Sequence, residues 1–526
     1  MRQQWRILVG VAFLAVALAG CQQGEPQRQG PRSFDLKRDR PALTVFGGQA
    51  EDRLIAAAAG DVNGDGHEDI IVGAFDADGP ADARVDCGEA YVIFGPADES
   101  QTIDIAEGQQ DVTIFGADSG DLLGFALATA DINGDGIDDV LVGAPWADGP
   151  DNERLNGGEA YVILGSPTLG PSVDIALGQQ ALTLFGAEEM DQLGTSLASG
   201  DADGDGIGDM LVGSFLADGP ENGRYQGGEA YLVLGGPFLS GDRDMAEGEY
   251  DLAIIGAEED DQLGYALTMA DLDNDGIDDL VVAAFRADVP AKLREDREDG
   301  GEVHVILGSP TLEGVLDLAS ASASLTVAAG DREDDLGSAL ASGDVNGDGV
   351  DDLLIGAYRA DGPQNARHDA GEAYVIFGGP SVHGSLHIGQ GEQDVTVLGA
   401  DPGDRLGGAL ASSDIDGDGI DDIIVGVQRA DGPENERKDA GEVYVVLGSP
   451  SPRPTVDIAL SEHSAAMFGE QREDAFSWSV AAVDWDNDGR ADVLAVARGA
   501  DGPEGGREDA GQAYVIPIGA RLKGKR

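Results

Sequence analysis

Short apolar runs alternate with polar loops rich in Asp and Gly along nearly the whole chain, and no window shows the spacing of an amphipathic helix. The stretch from Gly124 to Ala176 shows the order. Gly124–Ala130 (GFALATA) reads as a strand of small residues, and a nine-residue acidic loop, Asp131–Asp139, follows it. Val140–Pro145 (VLVGAP) is apolar without alternation, which suits a strand covered on both faces. A polar loop then leads to Gly158–Gly165 (GEAYVILG), a third strand, and a turn brings in Val173–Ala176 (VDIA) as a shorter, more polar fourth.

This unit recurs. The acidic loop reads D-x-[DN]-x-D-G-x-x-D seven times, at steps of 70 residues except for one of 73 between Asp271 and Asp344. Four short antiparallel strands per repeat, seven times over, is the pattern of a β-propeller. Small residues suit inner strands that converge on an axis, in keeping with 80 Gly and only 5% aromatic residues. A solenoid would need polar caps, which the ends do not show. The last repeat stops after its third strand, Gln512–Pro517. Phe34-Asp35-Leu36 followed by Ala42–Gly47 matches Val173-Asp174-Ile175 followed by Ala181–Gly186 in residues and spacing. The N-terminus therefore supplies the missing strand beside the last blade, and no edge is left open. The expected fold is all-β, a seven-bladed propeller over residues 34–518.

The loop has the chemistry of a cation site. Position one is Asp61, Asp131, Asp201, Asp271, Asp344, Asp414 or Asp484. Position three is Asn63, Asn133, Asp203, Asp273, Asn346, Asp416 or Asp486, and position five is Asp65, Asp135, Asp205, Asp275, Asp348, Asp418 or Asp488. Position seven, which can offer its backbone carbonyl, is His67, Ile137, Ile207, Ile277, Val350, Ile420 or Arg490. Position nine closes the shell with Asp69, Asp139, Asp209, Asp279, Asp352, Asp422 or Asp492. A plain Asx-Gly turn also favours Asp, Asn and Gly. It does not explain the crowding, because two carboxylates about 5 Å apart repel by roughly 3 kcal/mol at an effective dielectric of 20. Oxygen-only donors in a flexible turn favour Ca²⁺ over Mg²⁺, so up to seven calcium ions are expected. Position twelve is apolar in every copy (Val142, for example), where an EF-hand needs Glu.

Charge and the chain ends narrow the setting. With 100 Asp+Glu against 32 Lys+Arg the formal charge is −68, which excludes nucleic acid as a partner. Arg2 and Arg6, the apolar run Ile7–Ala19 and Leu18-Ala19-Gly20-Cys21 read as an export signal too short to span a bilayer comfortably. Its L-A-G-C ending resembles the lipobox of bacterial lipoproteins, which implies a lipid on Cys21. Residues 22–33 read as a flexible tether and residues 519–526 as a basic tail. The expected location is the bacterial cell envelope, lipid-anchored at the outer membrane or cell surface. Cys87, the one other cysteine, cannot form an internal disulfide and reads as a small turn residue.

Other residues recur with the loops. An Arg precedes each third strand (Arg84, Arg154, Arg224, Arg297, Arg367, Arg437, Arg507). It is expected to pair with the Asp of the turn before it: Asp78, Asp148, Asp218, Asp288, Asp361, Asp431 or Asp501. Glu89, Glu159, Glu229, Glu302, Glu372 and Glu442, with Gln512 in the last blade, are expected to accept backbone hydrogen bonds between blades. Where five blades carry a first-strand Gly, the two at the closure have Leu54 and Ser477, with Trp478 and Trp485 nearby, as packing or as a groove for a sugar ring. The long loop Ala291–Asp299 is a second place for recognition.

The segment LGFALATADINGDGIDDVLVGAP (Leu123–Pro145) resembles the FG-GAP repeat of integrin α-subunit propellers and related bacterial proteins, and the resemblance extends over the seven repeats. It implies a seven-bladed propeller with calcium in hairpin loops between first and second strands. All seven loops here are competent, whereas integrin α-subunits carry only some. The partner-facing integrin loops have no traceable counterpart, so ligand specificity does not carry over.

No H-E-x-x-H or G-x-S-x-G occurs, and the acids fall into repeated structural roles. No catalytic residue and no organic cofactor site is assigned. The expected function is a calcium-binding adhesion or binding module, a monomer, for an extracellular protein or glycan. The alternatives are a carbohydrate-active hydrolase or lyase on the same scaffold, and a purely structural envelope component.

Overall fold

The computed structural model describes residues 31–96, 100–288 and 299–522. Seven five-stranded sheets form the blades of a propeller. In the first blade the inner strand is Leu54–Gly60, the second Asp69–Ala74, the third Glu89–Ile93 and the fourth Val112–Phe115, all antiparallel. The second and third strands are buried along their whole length, as unbroken apolar runs require when another blade lies on each side.

The outer edge departs from the expected order. Ser172–Asp174, read above as a fourth strand of its own repeat, pairs parallel with Thr113–Phe115 and is a fifth strand on the preceding blade. The fourth strand of its own blade is Leu182–Phe185, antiparallel to Glu159–Val162. Between the two, Asp174 accepts the N–H of Ala176 and caps a single helical turn, Ile175–Leu177, which ends on left-handed Gly178 and turns the chain back. Every repeat thus reaches across to its neighbour before completing itself.

The same crossing closes the ring twice. Leu43–Phe46 is the fourth strand of the seventh blade, on Gln512–Val515, and Arg32–Asp35 is the fifth strand of the sixth, on Ala465–Phe468. Gln101–Asp104 from the first repeat then covers Leu43–Phe46. At Gly519, where a tail was expected, a short helix (Gly519–Leu522) buries Leu522, and Arg521 donates to Ser33 O at 2.9 Å. The signal, Cys21 and most of the tether, with residues 523–526, lie outside the described residues. No helix among the described residues is long and apolar enough to cross a membrane.

Seven apolar clusters lie one at each blade interface; that between blades one and two, for example, joins Ile71, Val92 and Ile114 to Val140, Val142 and Tyr161. Each such side chain contributes about 1.5–3 kcal/mol by burial. Backbones approach closely at paired glycines: a Cβ on Gly143 would lie 1.9 Å from Gly194 O of the next blade. Leu54 is the counterpart of Leu123, not of Gly124, because its N–H donates to Ala510 O as that of Leu123 does to Cys87 O. The first blade lacks the glycine altogether, its inner strand being one residue shorter. Ser477 does replace it in the seventh, and Trp485 is buried at the closure between blades seven and one.

Candidate functional site

The acidic loops sit where each inner strand turns into the second, all on one face. In the first loop Asp61 accepts the N–H groups of Gly64, Asp65 and Gly66 at 2.8, 3.1 and 2.8 Å. Asp65 accepts the N–H of His67 at 3.0 Å. Gly64 and Gly66 take φ of 72° and 85°, which gives them the left-handed conformation this winding needs. Asp69 is fully buried and accepts from Val62 and Gly95 at 3.1 and 2.9 Å. Burial pushes its carboxyl up to about 7, with Asp65 and Asp61 adding repulsion. Asp139, Asp209, Asp279, Asp352 and Asp492 are likewise pushed to about 7, and Asp422 to about 8, each chiefly by burial.

The carboxylates converge. Oxygens of Asp201, Asp203 and Asp209 lie within 4.8 Å of one another, as do those of Asp271, Asp273 and Asp275, of Asp414, Asp416 and Asp422, and of Asp484, Asp486 and Asp488. Oδ1 of Asp273 and Oδ2 of Asp492 are buried without a hydrogen-bond partner. Such a set could hold a hard cation: only oxygens face inward, and a positive ion would relieve both the repulsion and the burial cost. In the three loops with Asn at position three, the amide sits against the position-nine carboxylate, as Asn346 does on Asp352 at 3.0 Å. The seventh loop differs in carrying its own cation, since Arg490 donates two N–H groups to Asp488.

Positions seven and eight join the loops into a ring. Side chains at position seven pack over position four of the preceding blade's loop: a Cβ on Gly64 would meet Ile137, and one on Gly134 would meet Ile207. At the closure His67 instead meets Asn487 Nδ2 through its Nδ1, at 2.9 Å. Position eight went unread in the sequence. Asp138 accepts the N–H of Asp61 at 3.0 Å, Asp278 that of Asp201 at 2.8 Å, Asp421 that of Asp344 at 3.1 Å and Glu68 that of Asp484 at 2.6 Å. The signal was present, since five of the seven loops carry an acid there.

The recurring arginines brace the outer edge, with a partner other than the expected one. Arg154 forms a bidentate pair with Asp244 at 2.7 and 2.6 Å, Arg224 with Asp317 at 2.7 Å, and Arg367 with Asp457 at 2.8 Å. Arg84 meets Asp174, and the closing pairs are Arg437–Asp35 and Arg507–Asp104. Each acid belongs to the fifth strand crossing in from the following repeat. The turn acids Asp78, Asp148, Asp218, Asp361, Asp431 and Asp501 instead accept a backbone N–H within their own loop. Arg297 and the loop from Ala291 to Glu298 lie outside the described residues.

The recurring glutamates accept the hydroxyl of the tyrosine two residues on (Glu159–Tyr161, Glu229–Tyr231, Glu372–Tyr374, Glu442–Tyr444), and Gln512 does so for Tyr514. The bond is therefore within a strand, not between blades. In each of the six blades with a glutamate it lies near a second acid: Glu159, pushed to about 7 by burial, feels Asp121, also at about 7. Cys87 is buried and its thiol pushed up to about 12 by desolvation, as a packed turn residue would be.

At the opposite end of the inner strands the repeat dissolves. Six residues before each loop stand Ile55, Phe125, Thr195, Tyr265, Ser338, Gly408 and Trp478, seven different residue types at one repeated position. All but Ser338 line an axial cavity of about 510 Å³.

A family profile described as FG-GAP repeat matches residues 123–163, 263–306, 336–376 and 406–446. The phosphatidylinositol-glycan-specific phospholipase D of Homo sapiens is 28% identical over 392 residues, 70% of this chain and 42% of that protein. Integrin alpha-PS2 of Drosophila melanogaster is 34% identical over 181 residues, 33% of this chain and 12% of its own. Integrin alpha-5 of Xenopus laevis is 28% identical over 244 residues, covering 45% and 20%. The chain thus spans less than half the length of these relatives.

Proposed function

We propose that this chain, which is an FG-GAP-repeat protein built as an integrin-α-like propeller, works as a calcium-fastened binding module on the bacterial envelope. In this reading Cys21 carries a lipid, the tether expected at residues 22–33, shortened by the strand that begins at Arg32, links it to the propeller, and the ligand is an extracellular protein or glycan. The observation that carries it is the contrast between the propeller's two faces. Seven like loops of carboxylates fit a role repeated seven times, while a mouth with a different residue on each blade fits a role performed once. Calcium supplies the charge that the loops lack; the chain's own part is to hold the position-one carboxylate on N–H groups of the loop and the position-nine carboxylate on buried backbone donors, ready for the ion.

The test is a screen of the purified propeller against glycan and extracellular-protein arrays, with calcium and with chelator. Saturable binding that follows the folded fraction supports the reading; a blank array with folded, calcium-loaded protein contradicts it and leaves a structural envelope component. A second reading, a hydrolase or lyase, draws on the phospholipase D relatives. Turnover of a phosphodiester or polysaccharide, lost on replacing an acid outside the repeat pattern, would establish it.

A further inference from the structure

We propose that the axial mouth opposite the acidic loops binds a short acidic oligosaccharide, a run of a few uronic acid residues. This deepens the binding-module reading and rests on it.

The cavity, about 510 Å³, falls in the range of ligand sites, about 300–1,000 Å³. In a chain of formal charge −68, none of the residues lining it is acidic. Its walls offer flat aromatic faces and neutral hydrogen-bonding groups together. Trp478 is 36% exposed at the cavity, Trp146 packs edge-on against Phe125 within it, and the amides of Gln192 and Gln428 face the same space. Flat rings beside amides match the two characters of a pyranose, apolar C–H faces and an equator of hydroxyls.

The cations choose the sign of the ligand. Arg498 stands at the position that Phe215 and Gln428 occupy in their own blades, both of which line the cavity. Its guanidinium lies 4.4 Å from the Trp478 ring and 5.7 Å from that of Phe75. Arg405 stands at the position of Gln192 and lies 5.4 Å from the Tyr358 ring. Among the described residues neither is in an ion pair, whereas nearby Arg53 is held by Asp76 at 2.7 Å. Arg498 feels the charge of Asp76 and Asp509 but pairs with neither, so its planar fork, like that of Arg405, is left for a carboxylate of the ligand. A sugar acid brings carboxylate and ring together. The ligand is short because the acidic exterior repels a long polyanion.

The test uses the mature, calcium-loaded protein, tryptophan emission and calorimetry, with trigalacturonate as probe. A neutral trisaccharide and an acidic tripeptide serve as controls. The uronide should bind and quench emission, and the neutral sugar should bind at least about tenfold more weakly. Trp478→Ala and Arg498→Gln should each lose roughly tenfold in affinity, as loss of an anchoring contact does, with the melting temperature unchanged. Should either variant misfold, Arg405→Gln and Gln428→Ala take its place. Equal binding of the neutral sugar or the peptide, binding that survives the substitutions, or no uronide binding at millimolar concentration each overturns the proposal. A different array ligand that is indifferent to Trp478→Ala sinks this site and keeps the binding module; a blank array sinks both.

Discussion

The two faces of this propeller are made by the two ends of the same inner strands, yet they differ in kind. At the loop end Asp at positions one, five and nine is kept in all seven blades, and loops are tied to neighbours through positions seven and eight. At the other end one repeated position carries seven residue types. Burial explains the first: in the first six blades the position-nine carboxylate lies inside the wall of the ring and answers fixed backbone donors, so a blade that lost it would leave those donors unpaired. Nothing of that sort constrains the mouth, where side chains face a cavity. Repetition marks what holds the ring together, and divergence marks where the ring can distinguish one ligand from another.

The comparison can be broken at its strongest point first. Ions held at 100 times their dissociation constant add about 2.7 kcal/mol each, so chelation should lower the melting temperature of the wild-type protein by roughly 10–20 °C. An unchanged melt would remove the fastening role. Next comes a single blade: Asp139→Ala strips one loop of its buried ligand and frees the N–H groups of Ile132 and Gly165, which should cost about 2–4 kcal/mol by denaturant melts in calcium. The outer braces are weaker. Arg154→Ala leaves Asp244 unpaired at a partly buried site and should cost about 1–3 kcal/mol, with no change in calcium affinity.

The pH dependence comes next in size. Glu159 and Glu442 have their carboxyls raised from 4.5 to about 7 by burial. A raised acid contributes stability in full below its unfolded pKa and loses it as pH rises through the folded one. The chelated protein should therefore be more stable at pH 5 than at pH 8, and Glu442→Gln, which copies Gln512 of the last blade, should flatten that slope by about 1–2 kcal/mol. A slope of the opposite sign would show that these glutamates are ionised in the fold. The smallest effect belongs to the mouth: Gln428→Ala should change stability by less than about 0.5 kcal/mol.

The ring, its closure and the acidic loops were legible in the sequence because each depends on a strict period. What escaped has one cause. In a repeating chain, a contact within a repeat and the same contact made one repeat further on leave identical patterns. Arg154 could pair with Asp148 of its own turn or with Asp244, 90 positions along, and nothing in the spacing separates the two; the fold chooses Asp244. Asp138 reaches back 77 positions to Asp61 under the same disguise. Ser172–Asp174 was assigned to the wrong blade for this reason too, since three residues carry no alternation by which to tell their neighbour. At the closure the match to Val173-Asp174-Ile175 points to Phe34-Asp35-Leu36 as the closing strand of the last blade, but the fold lays that segment, as Arg32–Asp35, on the sixth blade and closes the seventh with Leu43–Phe46. The mouth was half legible: Trp478 stood out as a break in the repeat, while its partner Arg498 lies 20 positions away and meets it only in the fold.

Native mass spectrometry of the folded protein titrated with calcium tests the central claim most directly. Six ions should bind tightly and a seventh more weakly, because Arg490 competes for Asp488, and Arg490→Ile should make the seventh like the rest. A folded protein that takes up no calcium at millimolar concentration would contradict the account.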